Sequence, residues 1–235
     1  MRLLLISNST MPGEAYLDYP KHEIKQFLGH KPLTALFIPY AAVTFSFDLY
    51  EQKVVERFSE LGFAVKSIHH FSDPVQAVKD AQVIVVGGGN TWQLVRMMHD
   101  NQLMEVIREK VLNGTPYIGW SAGSNVACPT LRTTNDMPII DPKGFDTTGL
   151  VPFQINPHYL DANPEGHGGE TREQRIEEFL EINPDLFVVG LREGTMLRVE
   201  DDQMRLIGNR TARIFKKGNT PLELSSEDNF SFLLD

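Results

Sequence analysis

The sequence predicts an α/β fold: a mostly parallel central sheet with helices on both faces and antiparallel strands closing one edge near the C-terminus. Three observations carry this expectation. Short runs of Val, Ile and Leu alternate with longer amphipathic stretches through the first half of the chain, the pattern of buried parallel strands joined by helical crossovers. Later the apolar runs are separated by Asp201-Asp202 and Gly208-Asn209, which is the spacing of an antiparallel meander. No internal repeat, low-complexity tract or Pro/Gly/Ser linker interrupts the 235 residues, so residues 1–235 are expected to form one α/β domain, long enough to bury roughly 70 to 75% of its unfolded surface.

Taken in order, residues 3–6, 33–39, 64–68, 83–86 and 117–120 read as parallel strands. Between them, residues 48–61 place Leu49, Val54, Val55, Phe58 and Leu61 on one helical stripe, 75–81 form a short helix, and 92–112 supply one or two more. A segment from Ala122 toward Cys128 can start a helix directly after the fifth strand. Residues 171–182 form a helix stopped by Asn183-Pro184, followed by a strand at 186–190. The meander then comprises 196–199, 204–207 and 212–215.

Composition narrows the function. The chain is 41% hydrophobic and 23% charged, with 31 acidic against 22 basic side chains and a net charge of −9. Without a cluster of Lys and Arg, neither a nucleic acid nor an anionic membrane surface is an expected partner. The lone Cys128 can form no internal disulfide and reads as a small buried hydrophobe in a reducing compartment. The apolar run before Ser7-Asn8-Ser9-Thr10 is too short for a signal-peptide core, and a cytoplasmic location is expected.

Gly119-Trp120-Ser121-Ala122-Gly123 matches G-x-S-x-G, in which small flanking residues permit a sharp strand-to-helix turn that exposes a serine hydroxyl. The plain alternative is a tight turn in which Ser121 caps the following helix. Gly87-Gly88-Gly89 ends another strand. It lacks the last glycine of a dinucleotide fingerprint, where Trp92 stands, but could turn backbone N–H groups toward an oxyanion if its strand neighbours the one bearing Ser121. A serine nucleophile needs a base. His22, His30 and His99 lie in charged helical or loop contexts, and His69-His70 closes a strand, where adjacent side chains point to opposite faces. His158 follows the alternating segment 151–156 at a strand's end, where active sites of parallel α/β folds gather. For the acid, Asp136, Asp141, Asp146, Glu165, Glu170 and Glu193 are all available, and spacing does not choose among them. No histidine pair has metal-binding helical spacing, and no metal is expected.

Six segments together resemble a known family: Gly87-Gly88-Gly89-Asn90-Thr91, Gly119 to Asn125, Arg132-Thr133-Thr134-Asn135-Asp136-Met137-Pro138, Gln154-Ile155-Asn156-Pro157-His158, Pro164-Glu165-Gly166-His167, and Gly169 to Arg175. They are similar to peptidase E, the α-aspartyl dipeptidases, whose fold is like that of class I glutamine amidotransferases with serine in place of cysteine at the elbow. The resemblance implies hydrolysis of dipeptides with an unblocked N-terminal aspartate, without cofactor or metal, by a monomer or small homo-oligomer. It implies Ser121 as nucleophile, His158 as general base, the N–H groups of Gly89 and Ala122 as oxyanion donors, and Arg172 as the partner of the substrate's aspartyl carboxylate, with Arg132 a competing candidate. For the third member it points to Asp136, with Glu193 as rival. Ser124 departs from the alanine expected of the family, with no consequence predicted behind the elbow. Rival readings are a cyanophycinase-like hydrolase on the same scaffold, a general α/β-hydrolase esterase, and a non-catalytic binding module.

Overall fold

The computed structural model describes residues 1–166 and 168–235. In chain order the elements are β1 (Arg2–Ile6), α1 (Lys21–Leu28), β2 (Thr34–Ile38), α2 (Phe47–Glu60), β3 (Ala64–Ser67), α3 (Pro74–Asp80), β4 (Val83–Val86), α4 (Thr91–Asp100), α5 (Leu103–Leu112), β5 (Tyr117–Trp120) and α6 (Ala122–Asn125). They continue with β6 (Gln154–Tyr159), α7 (Arg172–Ile182), β7 (Phe187–Arg192), β8 (Met196–Glu200), β9 (Gln203–Ile207), β10 (Ala212–Lys216) and β11 (Leu222–Leu224). None of the described helices is long and apolar enough to cross a membrane.

The main sheet has seven strands in the order β3-β2-β4-β5-β1-β8-β9. Its first five are parallel, and β8 and β9 add antiparallel to β1. Why the early strands are continuously apolar is visible in their packing. Leu3 and Leu5 of β1 and Ile84 and Val86 of β4 enter a core with Leu94, Met98, Leu103 and Ile107 of α4 and α5. The alternate residues Leu4, Ile6, Val83 and Val85 enter a second core with Phe27 of α1 and Tyr50, Val54 and Phe58 of α2. A strand covered on both faces has no polar side to show.

Local chemistry sets the ends. Ser46, Asp73, Asn90 and Thr171 each cap a helix by accepting a backbone N–H, and Thr171 with Gln174 completes a capping box. The predicted 92–112 segment is two helices, because Gln102 adopts a left-handed φ of 56° between them. Leu49, expected on the buried stripe of α2, is 53% exposed, and Tyr50 takes the inward position.

Two expectations are corrected. The third strand of the meander does not follow β9. Instead β10 crosses to a second sheet, β11-β10-β7-β6, pairing Ile214 with Val189 of β7. That register buries Ile214 and Phe215 and places Phe215 beside Ile176 and Leu180 of α7. His69 and His70 also do not diverge. The strand stops at Ser67, and Ile68–His70 form a 3₁₀ turn whose tighter winding brings the two rings to 3.9 Å between centroids.

Two glycines let the β5–α6 turn fit against β4. A Cβ on Gly119 would lie 2.3 Å from the Gly123 carbonyl oxygen, and one on Gly123 would lie 2.1 Å from that of Val86. Gly123→Ala therefore forces backbone apart and is expected to destabilise by about 3 kcal/mol or more, lowering the Tm by about 6 to 12 °C. A melting temperature within about 2 °C of the parent would show that the turn relaxes without loss.

Candidate active site

β5 lies in the middle of the sheet, so the turns after its neighbours β4 and β1 flank the residue that follows it. That residue is Ser121, with φ 53° and ψ −111°, a conformation that costs a non-glycine residue on the order of 1–3 kcal/mol. Its N–H donates to the Ile6 carbonyl at 3.0 Å, and its own carbonyl accepts from Ser124 and Asn125 N–H. Buried Ser124 has its hydroxyl 2.8 Å from the Ile6 carbonyl oxygen and so ties the elbow to the end of β1. Ser121 makes no capping bond to α6. Its hydroxyl faces His158 Nε2 at 2.9 Å instead.

His158 comes from the other sheet. It occupies the register shift where β6 runs beside β7, again with a positive φ of 53°. Its N–H donates to Ser7 Oγ at 3.0 Å, and Ser7 Oγ–H donates to the Leu191 carbonyl at 2.7 Å. On the far side of the ring, Nδ1 lies 2.7 Å from Glu193 Oε1. Glu193 sits in the turn after β7, where Gly194 has φ 82° and donates its N–H to Asn8 Oδ1 at 2.9 Å. Tyr19 donates to the same oxygen at 2.8 Å, and burial raises its phenol above the ordinary value.

Asp136 is not the histidine's partner. Its Oδ2 accepts from Thr91 N–H at 2.7 Å and Thr91 Oγ1 at 2.6 Å, with Thr134 Oγ1 at 3.1 Å. The carboxylate is thus committed to the N-terminus of α4, where the helix dipole and an unpaired N–H favour an anion. It lines the same cleft as Ser121 and His158.

Arg172, at the first turn of α7, donates from Nη1 to Asn135 Oδ1 at 2.5 Å. It shares a polar recess with Arg132, Arg175, Thr134 and Asp136, and Asp136 borders both this recess and the cleft. Burial and the neighbouring Arg175 charge hold the Arg172 guanidinium below its usual pKa, while Asp136 opposes them. Arg132 Nε lies 3.4 Å from Thr130 Oγ1 in the same recess. His167, part of the neighbouring Pro164-Glu165-Gly166-His167 segment, lies outside the described residues.

Gly88 and Gly89 cover the serine from β4. A Cβ on Gly88 would lie 3.0 Å from Ser121 Cβ, and one on Gly89, whose φ is 136°, would lie 2.3 Å from the Ala41 carbonyl oxygen. The Gly88 carbonyl is held by Tyr50 Oη–H at 2.8 Å, and Trp120 Nε1–H donates to the same phenol oxygen at 3.1 Å. Burial pushes the Tyr50 phenol up to about 12, so it remains a donor at neutral pH. Sequence reasoning missed Ser7, Asn8, Tyr19, Tyr50 and Lys53. Only Ser7-Asn8, polar residues directly after an apolar strand, carried a signal.

With this geometry in hand, comparison with known proteins is decisive. The profile described as Peptidase family S51 matches residues 3–207. The chain belongs to peptidase family S51. A protein named Peptidase E from Nostoc sp. is 54% identical over 234 residues, covering 100% of this chain and 97% of its own. Peptidase E of Salmonella paratyphi A is 48% identical over 230 residues, with 98% and 100% covered. In fold, this S51 peptidase is similar to the crystal structure of a peptidase from an acI-B1 Actinobacterium, with a TM-score of 0.72, 21% identity, and 98% and 96% of the two chains covered.

One ion-pair network braces the turn that carries Glu193 in this S51 peptidase. Arg192, next to Glu193, binds Asp161 and Glu223, with Glu223 Oε2 at 2.9 Å from Nη1. Hydrogen bonding to Arg192 lowers the Asp161 pKa from 3.8. For Glu223, burial pushes upward, but bonds from Arg192 and Thr211 prevail and lower it from 4.5. Depressed carboxylates contribute stability above their unfolded values and lose it as pH falls through the folded ones. Arg192→Met should therefore unfold at lower urea than the parent at pH 7, with the gap closing below about pH 4. Equal gaps at pH 7 and pH 3 would remove these pairs from the account.

Proposed function

We propose that this S51 peptidase is a serine-type dipeptidase that hydrolyses dipeptides with an unblocked N-terminal aspartate through an acyl-enzyme on Ser121. The observation that carries the reading is the continuous pair of contacts from Ser121 Oγ to His158 Nε2 and from His158 Nδ1 to Glu193 Oε1, at 2.9 and 2.7 Å.

In this mechanism Glu193 keeps the histidine proton on Nδ1, leaving Nε2 free to accept the serine proton as Oγ attacks the peptide carbonyl. The imidazolium formed is stabilised by the same carboxylate. The N–H groups of Gly89 and Ala122 take the oxyanion, a role supported by the glycine turn held over the serine and by the orphan N–H at the start of α6. His158 then protonates the departing amine, and water hydrolyses the aspartyl ester through the same groups. Each step uses the chain's own residues. The reading puts the enzyme in the cytoplasm, consistent with one cysteine whose buried thiol is pushed up to about 12.

Specificity follows from charge. The aspartyl side chain is read by Arg172, whose guanidinium can grip a carboxylate bidentately and whose repulsion from Arg175 an anion would relieve. Lys53 also lines the cleft and is exposed, its Nζ 5.3 Å from the Phe45 ring centroid, and in this reading it meets the free carboxylate of a dipeptide's second residue.

Ser121→Ala is expected to lower kcat on Asp-Leu by about 10⁴-fold, His158→Ala by a similar factor, and the double variant little further, because members of one catalytic unit are non-additive. Retention of about a tenth of wild-type turnover in Ser121→Ala would end the serine assignment. Glu193→Gln should reduce kcat more than Asp136→Asn, since only Glu193 faces the ring nitrogen that sets the tautomer. The reverse order would return the role to Asp136. Arg172→Ala is expected to lower kcat/KM for Asp-Leu by about 30- to 1,000-fold with little effect on Asn-Leu, and Lys53→Ala to raise KM for Asp-Leu about 2- to 5-fold but not for its C-terminal amide. Unchanged substrate ratios in either variant would discard that residue as a selector.

A further inference from the structure

Outside the cleft, the described residues contain one group of metal-ligating side chains from two elements whose donor atoms all lie within 4.8 Å of one another: Asp48, Glu51, His69 and His70. Asp48, in the first turn of α2, and Glu51 stand at i and i+3 and so share one helix face. His69 and His70 come from the 3₁₀ turn after β3. His69 Nε2 is 2.9 Å from Asp48 Oδ1, and His70 Nε2 is 2.6 Å from Glu51 Oε2 and 3.9 Å from Asp48 Oδ1.

We propose that these four residues form a binding site for a divalent transition-metal ion of the zinc class. Bonds of about 2.0 to 2.2 Å in a tetrahedron place ligands roughly 3.3 to 3.6 Å apart; the three close contacts of 2.6, 2.9 and 3.9 Å bracket that spacing, and all four donor atoms lie within 4.8 Å of one another. Two carboxylates cancel the charge of the dication. Two imidazoles favour zinc, cobalt, nickel or copper over the hard cations calcium and magnesium, which take oxygen ligands.

The outer contacts are those of a metal site. A ligating histidine is normally oriented by a partner on its second nitrogen, and His69 Nδ1 lies 2.6 Å from Ser67 Oγ. A ligating carboxylate is normally held by its second oxygen, and Glu51 Oε1 accepts the Ser67 N–H at 2.7 Å. Ser67 thus aligns one imidazole and one carboxylate, both with side chains only 17% exposed. Asp48 and His70 are open to solvent, which supplies the entry path.

The ion would fasten the first turn of α2 to the β3–α3 connection. Tyr50 belongs to that same turn and holds the Gly88 carbonyl beside Ser121, so the bound metal steadies one wall of the cleft while taking no part in its chemistry.

The test is titration of the chelator-treated full chain with Zn²⁺ by calorimetry and with Co²⁺ by visible absorption. One equivalent of zinc per chain is expected, with a tetrahedral Co²⁺ ligand-field band that zinc displaces and a Tm raised by zinc but not by magnesium. His70→Ala and Asp48→Asn, both at exposed positions, should each weaken zinc binding by at least about 10-fold, since each removes one of four ligands. A Ser121→Ala background should bind zinc as the parent does. No stoichiometric binding, or binding that survives both His70→Ala and Asp48→Asn, overturns the site.

Discussion

The approach of His158 to Ser121 rests on polar side chains that join two sheets, Ser7 foremost among them. Ser121 stands at the end of β5 in the main sheet, whereas His158 and Glu193 follow strands of the second sheet. Nothing within either sheet sets the 2.9 Å approach of Oγ to Nε2. Ser7, directly after β1, accepts the His158 N–H and donates to the Leu191 carbonyl, so it bridges the irregular end of β6 and the end of β7. Asn8 continues the clamp to Gly194, beside Glu193. Hydroxyl and amide side chains suit this place because each can accept from one strand's N–H and donate to another group at once.

Both residues that face each other across the sheets hold left-handed backbone, Ser121 at φ 53° and His158 at φ 53°. Each such residue costs about 1–3 kcal/mol and persists only where its surroundings over-determine it. At Ser121 the surroundings are the contacts among Gly119, Gly123 and Val86. At His158 they are the bond to Ser7 and the register shift between β6 and β7. Two buried cores flanking the sheet supply the stability that holds both strained points in place.

Charge is distributed against the overall field. A chain of net charge −9 repels a small acid at long range, yet beyond about 8 Å in physiological salt that repulsion is largely screened. At short range the recess gathers Arg132, Arg172 and Arg175, three cations beside one carboxylate. Asp136 keeps that recess from being uniformly positive and anchors its loop to α4.

Much of this was legible in the chain alone, since periodicity and turn chemistry are local. Strands β1 to β5, the sharp turn at Ser121, the glycine turn after β4 and the placement of His158 after an alternating segment were readable, because each depends on residues within a few positions; that β4 lies beside β5 is a tertiary fact. Three features were not. Whether Asp136 or Glu193 meets His158, whether β10 stays with β9 or crosses to β7, and whether His69 and His70 diverge or converge all depend on contacts between segments far apart in sequence. Ser7 reaches Leu191 across 184 positions, and no spacing rule encodes such a contact. Residue type and period state which groups are available and which face each takes. Only the packed tertiary structure decides which of them meet, because that choice is made by the joint burial of many side chains at once.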